Sequence, residues 1–247
     1  MTYNIWGYYG DWDRRKDLII DLLTTEQPDI VGLQEVLDQP PFNRPGEHQG
    51  IFLARAAAYP YVAFQIAHRT PQKIQGNAVL SRIPFEGTEA LYFYKDETDP
   101  KDTEDRVALL VSFTSPAGEW DLVVTHLSLS RPARVRSVER LAQWLIERHR
   151  PFIVMGDLND TPESAPLRYL LREGPIKMVD GWAVIHPKQT GFTFPSHQPQ
   201  MRIDYALFYP ADRFIVQDAY LKGDQASHDG LYPSDHLAII IVVEFKG

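Results

Sequence analysis

The sequence predicts an α/β (α+β) domain in which two packed, mixed β-sheets are flanked by helices. Short apolar runs with the length of a buried strand alternate with segments of helical spacing. Some neighbouring runs are separated only by a turn, as at Ser115–Gly118, which favours hairpins and therefore antiparallel pairs. The chain has 247 residues, of which 44% are hydrophobic, so a single domain over residues 1–247 is expected.

Six apolar runs rich in Val, Ile and Phe are the predicted strands. Each is bounded by polar turns and has the length of a buried strand, and several end at a polar or acidic residue. In chain order the predicted strands are Ile30–Leu33, Val107–Phe113, Leu122–Thr125, Phe152–Met155, Tyr205–Phe208 and Ala238–Phe245.

Three segments are predicted to be helices. In Arg14–Leu23 and in Arg134–Arg148 the apolar residues recur every three or four positions and form one stripe. A third, shorter helix is expected over Ala165–Arg172. The proline-rich segment Gln39–Pro45 is interpreted as a surface loop, because one domain offers no need for a linker there.

Composition limits the classes of function. The formal net charge of −8 argues against non-specific adhesion to long duplex nucleic acid, since Lys and Arg supply most of that affinity. A nuclease is still compatible with this charge, because an acidic metal site contributes negative charge that a bound cation offsets. Cysteine is absent, which excludes disulfide scaffolds, thiolate zinc sites and cysteine nucleophiles.

No apolar stretch approaches the roughly 18 residues of a membrane span, so no stable membrane insertion is expected. The segment Met1–Gly10 lacks the basic and apolar regions of a secretory signal. We therefore expect a cytoplasmic protein, although a secreted form trimmed of its signal would have the same sequence. We also expect a monomer.

Carboxylate, amide and imidazole side chains fall at the ends of the predicted strands. Such groups converge on one rim of a sheet, where α/β folds place their sites. A lone Asp there is more often a turn or helix cap, but the whole set favours a functional site. Carboxylate and amide oxygens are the ligands that a hard cation such as Mg²⁺ selects. The set comprises Asn4, Glu35, His126, Asp157, Asn159, Asp160, Asp204, Asp235 and His236.

Seven short motifs resemble, in order and over nearly the whole chain, those of the endonuclease/exonuclease/phosphatase superfamily. Each motif alone is weak, whereas the ordered set is specific. The resemblance implies a four-layer α/β sandwich and a phosphoesterase that uses Mg²⁺, or alternatively Mn²⁺, to position a water. The motifs are Thr2–Asn4, Gln34–Val36, Gly76–Ser81, Thr125–Leu127, Gly156–Asn159, Arg202–Tyr205 and Ser234–His236.

The resemblance also implies a metal site. Glu35 would be the principal ligand, and Asn4 and Asp235 would complete or support the metal shell. Trp6 stands where abasic-site endonucleases of the superfamily carry a further acidic ligand. A second metal ion is therefore not expected.

The remaining motif residues are expected to carry out the reaction. Asp157 and Asn159 would orient the attacking water and a phosphate oxygen, with Asp157 as the favoured base. His236, held by Asp204, would be cationic and would stabilise the transition state, although it remains a competing base. His126 would face the scissile phosphate near the leaving group.

Three positions leave alternatives open. Gln75 stands where deoxyribonuclease-like members have a glutamate that pairs with the histidine, so a general-acid role for His126 lacks its usual support. Arg106 matches a phosphate-contacting arginine of some relatives, but an ion pair with a nearby carboxylate is equally compatible. Asn77 would either bind phosphate or close a turn after Gly76.

The substrate is left open between nucleic acid, a lipid head group and a sugar phosphate. An exposed aromatic hairpin at Leu91–Tyr94 would favour lipid, but a core strand explains that segment equally well. The run Arg131–Arg136 is either a solvated helix start or reaches a second substrate phosphate. The alternative to an enzyme is a catalytically silent module that binds phosphate or metal.

Overall fold

The computed structural model describes residues 1–40, 42–44 and 46–246, and in them twelve strands form two six-stranded sheets. Sheet A consists of β1 (Thr2–Asn4), β2 (Ile30–Asp38), β3 (Tyr61–Arg69), β4 (Ile74–Ser81), β11 (Phe214–Lys222) and β12 (Ala238–Phe245). Sheet B consists of β5 (Gly87–Phe93), β6 (Arg106–Ser115), β7 (Gly118–His126), β8 (Phe152–Asp157), β9 (Val179–Asp180) and β10 (Asp204–Tyr209).

Both sheets are mixed, which confirms the prediction from the hairpin turns. Sheet A has the strand order β11-β12-β1-β2-β4-β3, and its parallel pair is β1 with β2. Sheet B has the order β5-β6-β7-β8-β10-β9, and its parallel pair is β7 with β8. The predicted turn joins β6 to β7, and Ser115 pairs with Gly118 at its base.

The helices lie on the outer faces. The two longest begin close to the predicted positions, and α3 is capped by Ser130, whose hydroxyl accepts a hydrogen bond from the Ala133 amide. The predicted third helix is α4 followed by one π-helical turn, Tyr169–Glu173. The helices are α1 (Trp12–Glu26), α2 (Gln49–Ala56), α3 (Arg131–Glu147), α4 (Ala165–Arg168) and α5 (Gly181–Ile185).

Three buried apolar clusters hold the layers together. One contains Ile19 of α1 and packs α1 and α2 on sheet A. A second contains Val79 and Leu109 and lies between the two sheets. The third contains Leu141 of α3 and packs the helices on sheet B. The order helix, sheet, sheet, helix is the four-layer α/β sandwich that the resemblance implies.

Some segments differ from the sequence-based expectation, and one lies partly outside the described residues. Strands β1, β3, β4, β5, β9 and β11 were not among the six predicted runs. The core-strand interpretation of Leu91–Tyr94 is confirmed up to the buried Phe93, whereas Tyr94 follows β5 and is 73% exposed. In the expected loop Gln39–Pro45, Pro41 and Pro45 lie outside the described residues.

In the part of the chain that the structure describes, no helix has both the length and the apolar character needed to cross a membrane.

Candidate catalytic site

Strand register places three predicted site residues side by side at one end of the central strands of sheet B. The parallel pair β7 and β8 sets His126 opposite Asp157, at the last residue of both strands. The antiparallel pair β8 and β10 sets Asp204 opposite the same aspartate. Asp157 therefore lies between His126 and Asp204 because of backbone hydrogen bonding alone.

Sheet A brings two further residues to the same place. Asn4 ends β1, and Glu35 lies at a bulge in β2 between Leu33 and Val36, with a left-handed φ of 57°. The Asn4 side-chain amide donates to Glu35 Oε1 at 3.0 Å and to Asp157 Oδ2 at 3.1 Å. This amide therefore connects the two sheets at the site.

The turn before β12 contributes the last two residues, Asp235 and His236. It is attached to β1 because the Ser234 hydroxyl donates to the backbone carbonyl of Asn4 at 2.7 Å. The same hydroxyl accepts from the His236 amide at 3.2 Å. Residues that are more than 200 positions apart in the sequence are thus fixed beside each other.

Asp157 contacts residues from several of the other segments of the site. Its Oδ1 accepts from the Asn159 amide at 2.9 Å, and its Oδ2 lies 3.4 Å from His126 Nε2 and 3.7 Å from His236 Nε2. Burial, together with the charge of Asp204, raises the pKa of Asp157 to about 7. A carboxylate with such a pKa is suited to accept a proton at neutral pH.

His236 and Asp204 form a buried imidazole–carboxylate pair, with 2.9 Å between Nδ1 and Oδ2. Burial acts to lower the pKa of His236, but the charges of Asp204 and Asp157 outweigh it and raise this pKa to about 10. His236 is therefore a cation at neutral pH, and it is poorly suited to act as a base.

His126 is in the opposite state. Burial lowers its pKa well below the usual value, and the charges of Arg106 and His236 act in the same direction. The Asn159 side-chain amide donates to Leu127 O at 2.8 Å and lies 3.0 Å from His126 Nε2. Since the contact with the carbonyl fixes the amide nitrogen as the donor, His126 Nε2 is the acceptor and the ring is neutral.

An open pocket of about 610 Å³ lies over these groups. Asn4 and Asp204 are fully buried beneath it, with 0% exposure. Apolar side chains at its rim include Tyr9, Leu129 and Met201, which are 52%, 62% and 40% exposed. Seven residues with a predicted metal, catalytic or substrate role line the pocket, as does Asp160 of the predicted set; the seven are Glu35, Arg106, His126, Asp157, Asn159, Asp235 and His236.

The two predicted substrate-binding residues lie in different environments. Arg106, the first residue of β6, lines the pocket, and its Nη2 is 3.7 Å from Glu104 Oε2, so it faces the site and has an acidic neighbour. Asn77 lies inside β4 and donates to the Val107 carbonyl at 2.9 Å. The expectation that Asn77 closes a turn is therefore wrong, because β4 continues through this position. Its role toward substrate stays a prediction.

The donor set fits a divalent cation. Asp157, Asp204 and His236 have possible ligand atoms within 4.8 Å of one another, but His236 could ligate a metal only after losing the proton that its raised pKa retains at neutral pH. Glu35 and Asp235 add carboxylates that face the pocket; burial raises the pKa of Asp235, and the charge of Glu35 acts in the same direction. A cation between such carboxylates would relieve this repulsion.

Both polar atoms of the Asn4 side chain are already hydrogen-bonded, which does not favour direct binding of a metal. Its side-chain oxygen accepts from the Trp6 backbone amide at 3.0 Å, and its amide nitrogen is directed to Glu35 and Asp157. In this arrangement Asn4 orients the two carboxylates, which is a supporting role in the metal shell.

Arg15 is a positioning residue that the sequence interpretation missed. It is fully buried, and its guanidinium donates to the carbonyls of residues 5, 6, 7, 9 and 233, including Ile5 at 3.0 Å and Pro233 at 2.8 Å. It thereby holds the segment after Asn4 against the segment before Asp235. The available signal was its spacing, because Arg15 shares the apolar face of α1 with Ile19 and Leu22.

Comparisons with known proteins agree with this fold. The fold is similar to that of mannosyl-6-phosphatase from Bacteroides thetaiotaomicron, with 17% identity, a TM-score of 0.72, and coverage of 99% of this chain and 98% of the other. It is similar to truncated TDP2 from Caenorhabditis elegans, with 20% identity, a TM-score of 0.72, and coverage of 99% and 96%. Identities this low establish the fold alone.

A structure described as endonuclease/exonuclease/phosphatase from Beutenbergia cavernae is 22% identical, with a TM-score of 0.71, and the match covers 100% of this chain and 71% of the other. A search of curated protein sequences finds no match to the chain. A sequence model of the Endonuclease/Exonuclease/phosphatase family matches residues 1–236. The chain therefore belongs to this family of metal-dependent hydrolases that act on phosphoesters.

Proposed function

We propose that this protein is a Mg²⁺-dependent phosphoesterase that hydrolyses a phosphodiester or phosphomonoester with an activated water. The observation that carries the proposal is the convergence, in one pocket, of Glu35, Asp235 and Asp157 with a buried imidazole–carboxylate pair. Phosphoester hydrolysis requires charge neutralisation at the phosphate and a base for water, and this arrangement offers both.

The residues divide these tasks. Asp157 accepts the proton of the attacking water, because its pKa near 7 is matched to neutral pH. His236, held protonated by Asp204, contributes a positive charge toward the negative charge that develops on the phosphate oxygens. Asn159 is held on Asp157 by its backbone amide. Its side-chain amide donates to Leu127 O and His126 Nε2, so its side-chain oxygen is the atom that would orient the attacking water.

Glu35 and Asp235 are the residues that would hold Mg²⁺, and Asn4 orients Glu35 by a direct hydrogen bond. A bound Mg²⁺ would supply positive charge to the phosphate and lower the pKa of a coordinated water. Mn²⁺ has similar ligand preferences and is expected to substitute.

His126 has a positioning role in this proposal. Its Nε2 accepts from the Asn159 amide, and its lowered pKa leaves it without a proton to give at neutral pH. Gln75 bonds to Glu104 at 3.3 Å instead of supplying a carboxylate to this ring. We therefore do not assign His126 as the general acid, and its predicted position facing the leaving group remains to be tested.

Three classes of phosphoester are candidate substrates. The net charge of −8 favours a small or locally exposed phosphoester over long duplex nucleic acid. Nucleic acid ends, lipid head groups and sugar phosphates are the candidate classes, and the last is the kind of substrate that the name of the Bacteroides relative describes.

A catalytically silent phosphate- or metal-binding module is the competing function. Six of the predicted metal and catalytic residues line one pocket, and Asn4 and Asp204 are hydrogen-bonded to them from beneath it, which favours the enzyme. The two functions differ in turnover and not in metal binding, so the experiment must measure both.

The test is a panel of substrates with Mg²⁺, Mn²⁺ or EDTA, comprising bis-p-nitrophenyl phosphate, plasmid DNA, RNA, sphingomyelin and sugar and inositol phosphates. Wild type should hydrolyse one class only with metal, and Glu35→Gln should lose that activity and the thermal stabilisation by Mg²⁺ while staying folded. Glu139→Gln, an exposed position on α3, removes the same charge and should change neither. Mg²⁺ binding without hydrolysis of any substrate would favour the silent module.

A further inference from the structure

A second, smaller pocket of about 90 Å³ adjoins the catalytic pocket, and the residue common to both is Arg106. The small pocket lies between the end of β5, the start of β6 and the first turns of α3. Its polar lining is dominated by guanidinium and hydroxyl groups, which are contributed by Tyr94, Arg106, Ser128, Arg136, Ser137 and Arg140.

The guanidinium groups have unused donors. Arg106 is 7% exposed, and its Nε is buried without a hydrogen-bond partner among the described residues. Within those residues Arg140 has no carboxylate within 4.0 Å, and its guanidinium lies over the Phe93 ring at 5.7 Å. Arg140 is exposed on α3, so its guanidinium is accessible from the pocket, and an anion there would form charge-assisted hydrogen bonds with it.

The carboxylate in the pocket wall is already engaged. Asp102 accepts from the Ser128 hydroxyl at 2.6 Å and from the Asp96 backbone amide at 2.9 Å. Arg136 is 3.5 Å from the same carboxylate and 3.8 Å from Asp96. Asp102 therefore holds the loop after β5 and places Arg136 at the pocket. Arg140 has no such partner among the described residues, and the carboxylate nearest to Arg106, that of Glu104, is 3.7 Å away.

We propose that this pocket binds a terminal phosphate group, so that the substrate is a small phosphoester that carries a second phosphate. This inference rests on the proposed function, since Arg106 connects the pocket to the site where the first phosphoester would react. Arginine forks and hydroxyl groups are the donors that phosphate oxygens prefer.

Size and charge favour a terminal group over a continuing polymer. The pocket measures about 90 Å³ against about 610 Å³ for the catalytic pocket, so it takes one group of a substrate. The loop beside it carries Asp96 and Asp99, which do not line the pocket and whose negative charges would repel the next phosphates of a nucleic acid. Oligonucleotides are therefore expected to gain nothing from this pocket.

The test compares fructose 1,6-bisphosphate, fructose 6-phosphate, a short oligonucleotide and bis-p-nitrophenyl phosphate as substrates of wild type, Arg140→Gln and Arg131→Gln. Arg140→Gln should lower kcat/KM for the bisphosphate by about tenfold relative to bis-p-nitrophenyl phosphate, mainly through KM, because a charge-assisted contact is lost. Arg131→Gln is the matched control, because Arg131 is exposed on the same helix and does not line the pocket as described.

Calorimetric titration of the metal-free protein provides a readout without turnover. The bisphosphate should bind about tenfold more tightly than the monophosphate, and Arg140→Gln should remove that difference. Equal affinities, equal effects of the two Arg variants, or an oligonucleotide that depends on Arg140 as strongly as the bisphosphate would each overturn the inference. If no phosphoester is hydrolysed but the Arg140-dependent binding persists, the proposed function fails and the phosphate pocket stands.

Discussion

At the scale of single residues, Asp157 and His236 have the two protonation states that the proposed reaction needs, a base and a cation. They lie 3.7 Å apart at Oδ2 and Nε2, and both are buried. Burial and Asp204 hold the pKa of Asp157 near 7, while carboxylates hold that of His236 near 10. Between these values a base and a cation coexist at contact distance.

The pH dependence of kcat/KM follows from this division. Activity should rise with pH as Asp157 loses its proton and fall above the pKa of His236; in metal-free protein these pKa values are about 7 and about 10. A bound divalent cation should shift the rising limb to lower pH, because it stabilises the carboxylate. Asp157→Asn should lower kcat/KM by about 10²–10⁴-fold and abolish the rising limb. A variant that keeps this limb would show that another group is the base.

The partner of His236 can be tested separately. In Asp204→Asn the imidazole keeps a hydrogen-bond partner at Nδ1 but loses the nearest charge, so the pKa of His236 should fall from about 10 toward neutrality. The falling limb of the pH profile should move to lower pH by the same amount. Titration of the His236 ring by NMR measures the shift directly, and an unchanged titration would contradict the assignment.

At the scale of elements, the site forms where β7 and β8 end and β10 begins, because the pairing of these strands fixes which residues lie opposite each other. Gly156 is essential to this register. Its φ is 146°, and a Cβ there would lie 1.8 Å from the Thr125 carbonyl oxygen. The close approach of β8 to β7 that sets His126 beside Asp157 therefore requires glycine.

Gly156→Ala should consequently reduce the free energy of unfolding by roughly 3 kcal/mol or more, because both φ and space oppose the methyl group. Gly87→Ala is the matched control in β5, where a Cβ meets nothing within 4 Å, and its stability should be unchanged or slightly raised. Urea denaturation of the two variants measures the difference. Equal stabilities would mean that the strands can separate at Gly156 without cost.

The sequence predicted the strands whose residues are apolar on both faces, such as the runs inside β6 and β8, because continuous burial leaves a continuous apolar pattern. It did not reveal β3 or β11, whose burial is partial and irregular. The bulge at Glu35 depends on pairing between distant strands, which local patterns do not record.

The predicted site was recognisable from the ordered motifs. The structure brings seven of the residues with a predicted role together in one pocket. The protonation states of His126 and His236 could not be predicted in the same way, because they depend on depth of burial and on neighbours from other strands. The role of Arg15 could not be predicted for a related reason. A buried guanidinium needs several backbone carbonyls as acceptors, and these carbonyls come from segments that only the tertiary structure brings together.

At the scale of the whole molecule, the site exists only where the two sheets meet. Sheet A contributes Asn4 and Glu35, and sheet B contributes Asp157 and its register neighbours. The Asn4 amide joins them with bonds of 3.0 and 3.1 Å. Sheet packing and active-site geometry are therefore coupled through one side chain.

Asn4→Ala should expose this coupling. Removing the amide leaves Asp157 Oδ2 and Glu35 Oε1 without that donor, which should destabilise the protein by about 1–3 kcal/mol and lower kcat at the same time. Chemical denaturation and steady-state kinetics on the same preparation measure both effects. Loss of activity without loss of stability would indicate that Asn4 acts on the reaction alone.

The turn at Ser234–His236 also determines when the protein can first act during its own synthesis. A nascent chain that has emerged as far as residue 230 already contains Glu35, His126, Asp157 and Asp204. It lacks the imidazole that pairs with Asp204 and the carboxylate of Asp235, and it lacks β12, the antiparallel neighbour of β1. Nascent chains that end before Asp235 would thus be inert toward phosphoesters, and hydrolysis would begin only after β12, up to Phe245, can pair with β1.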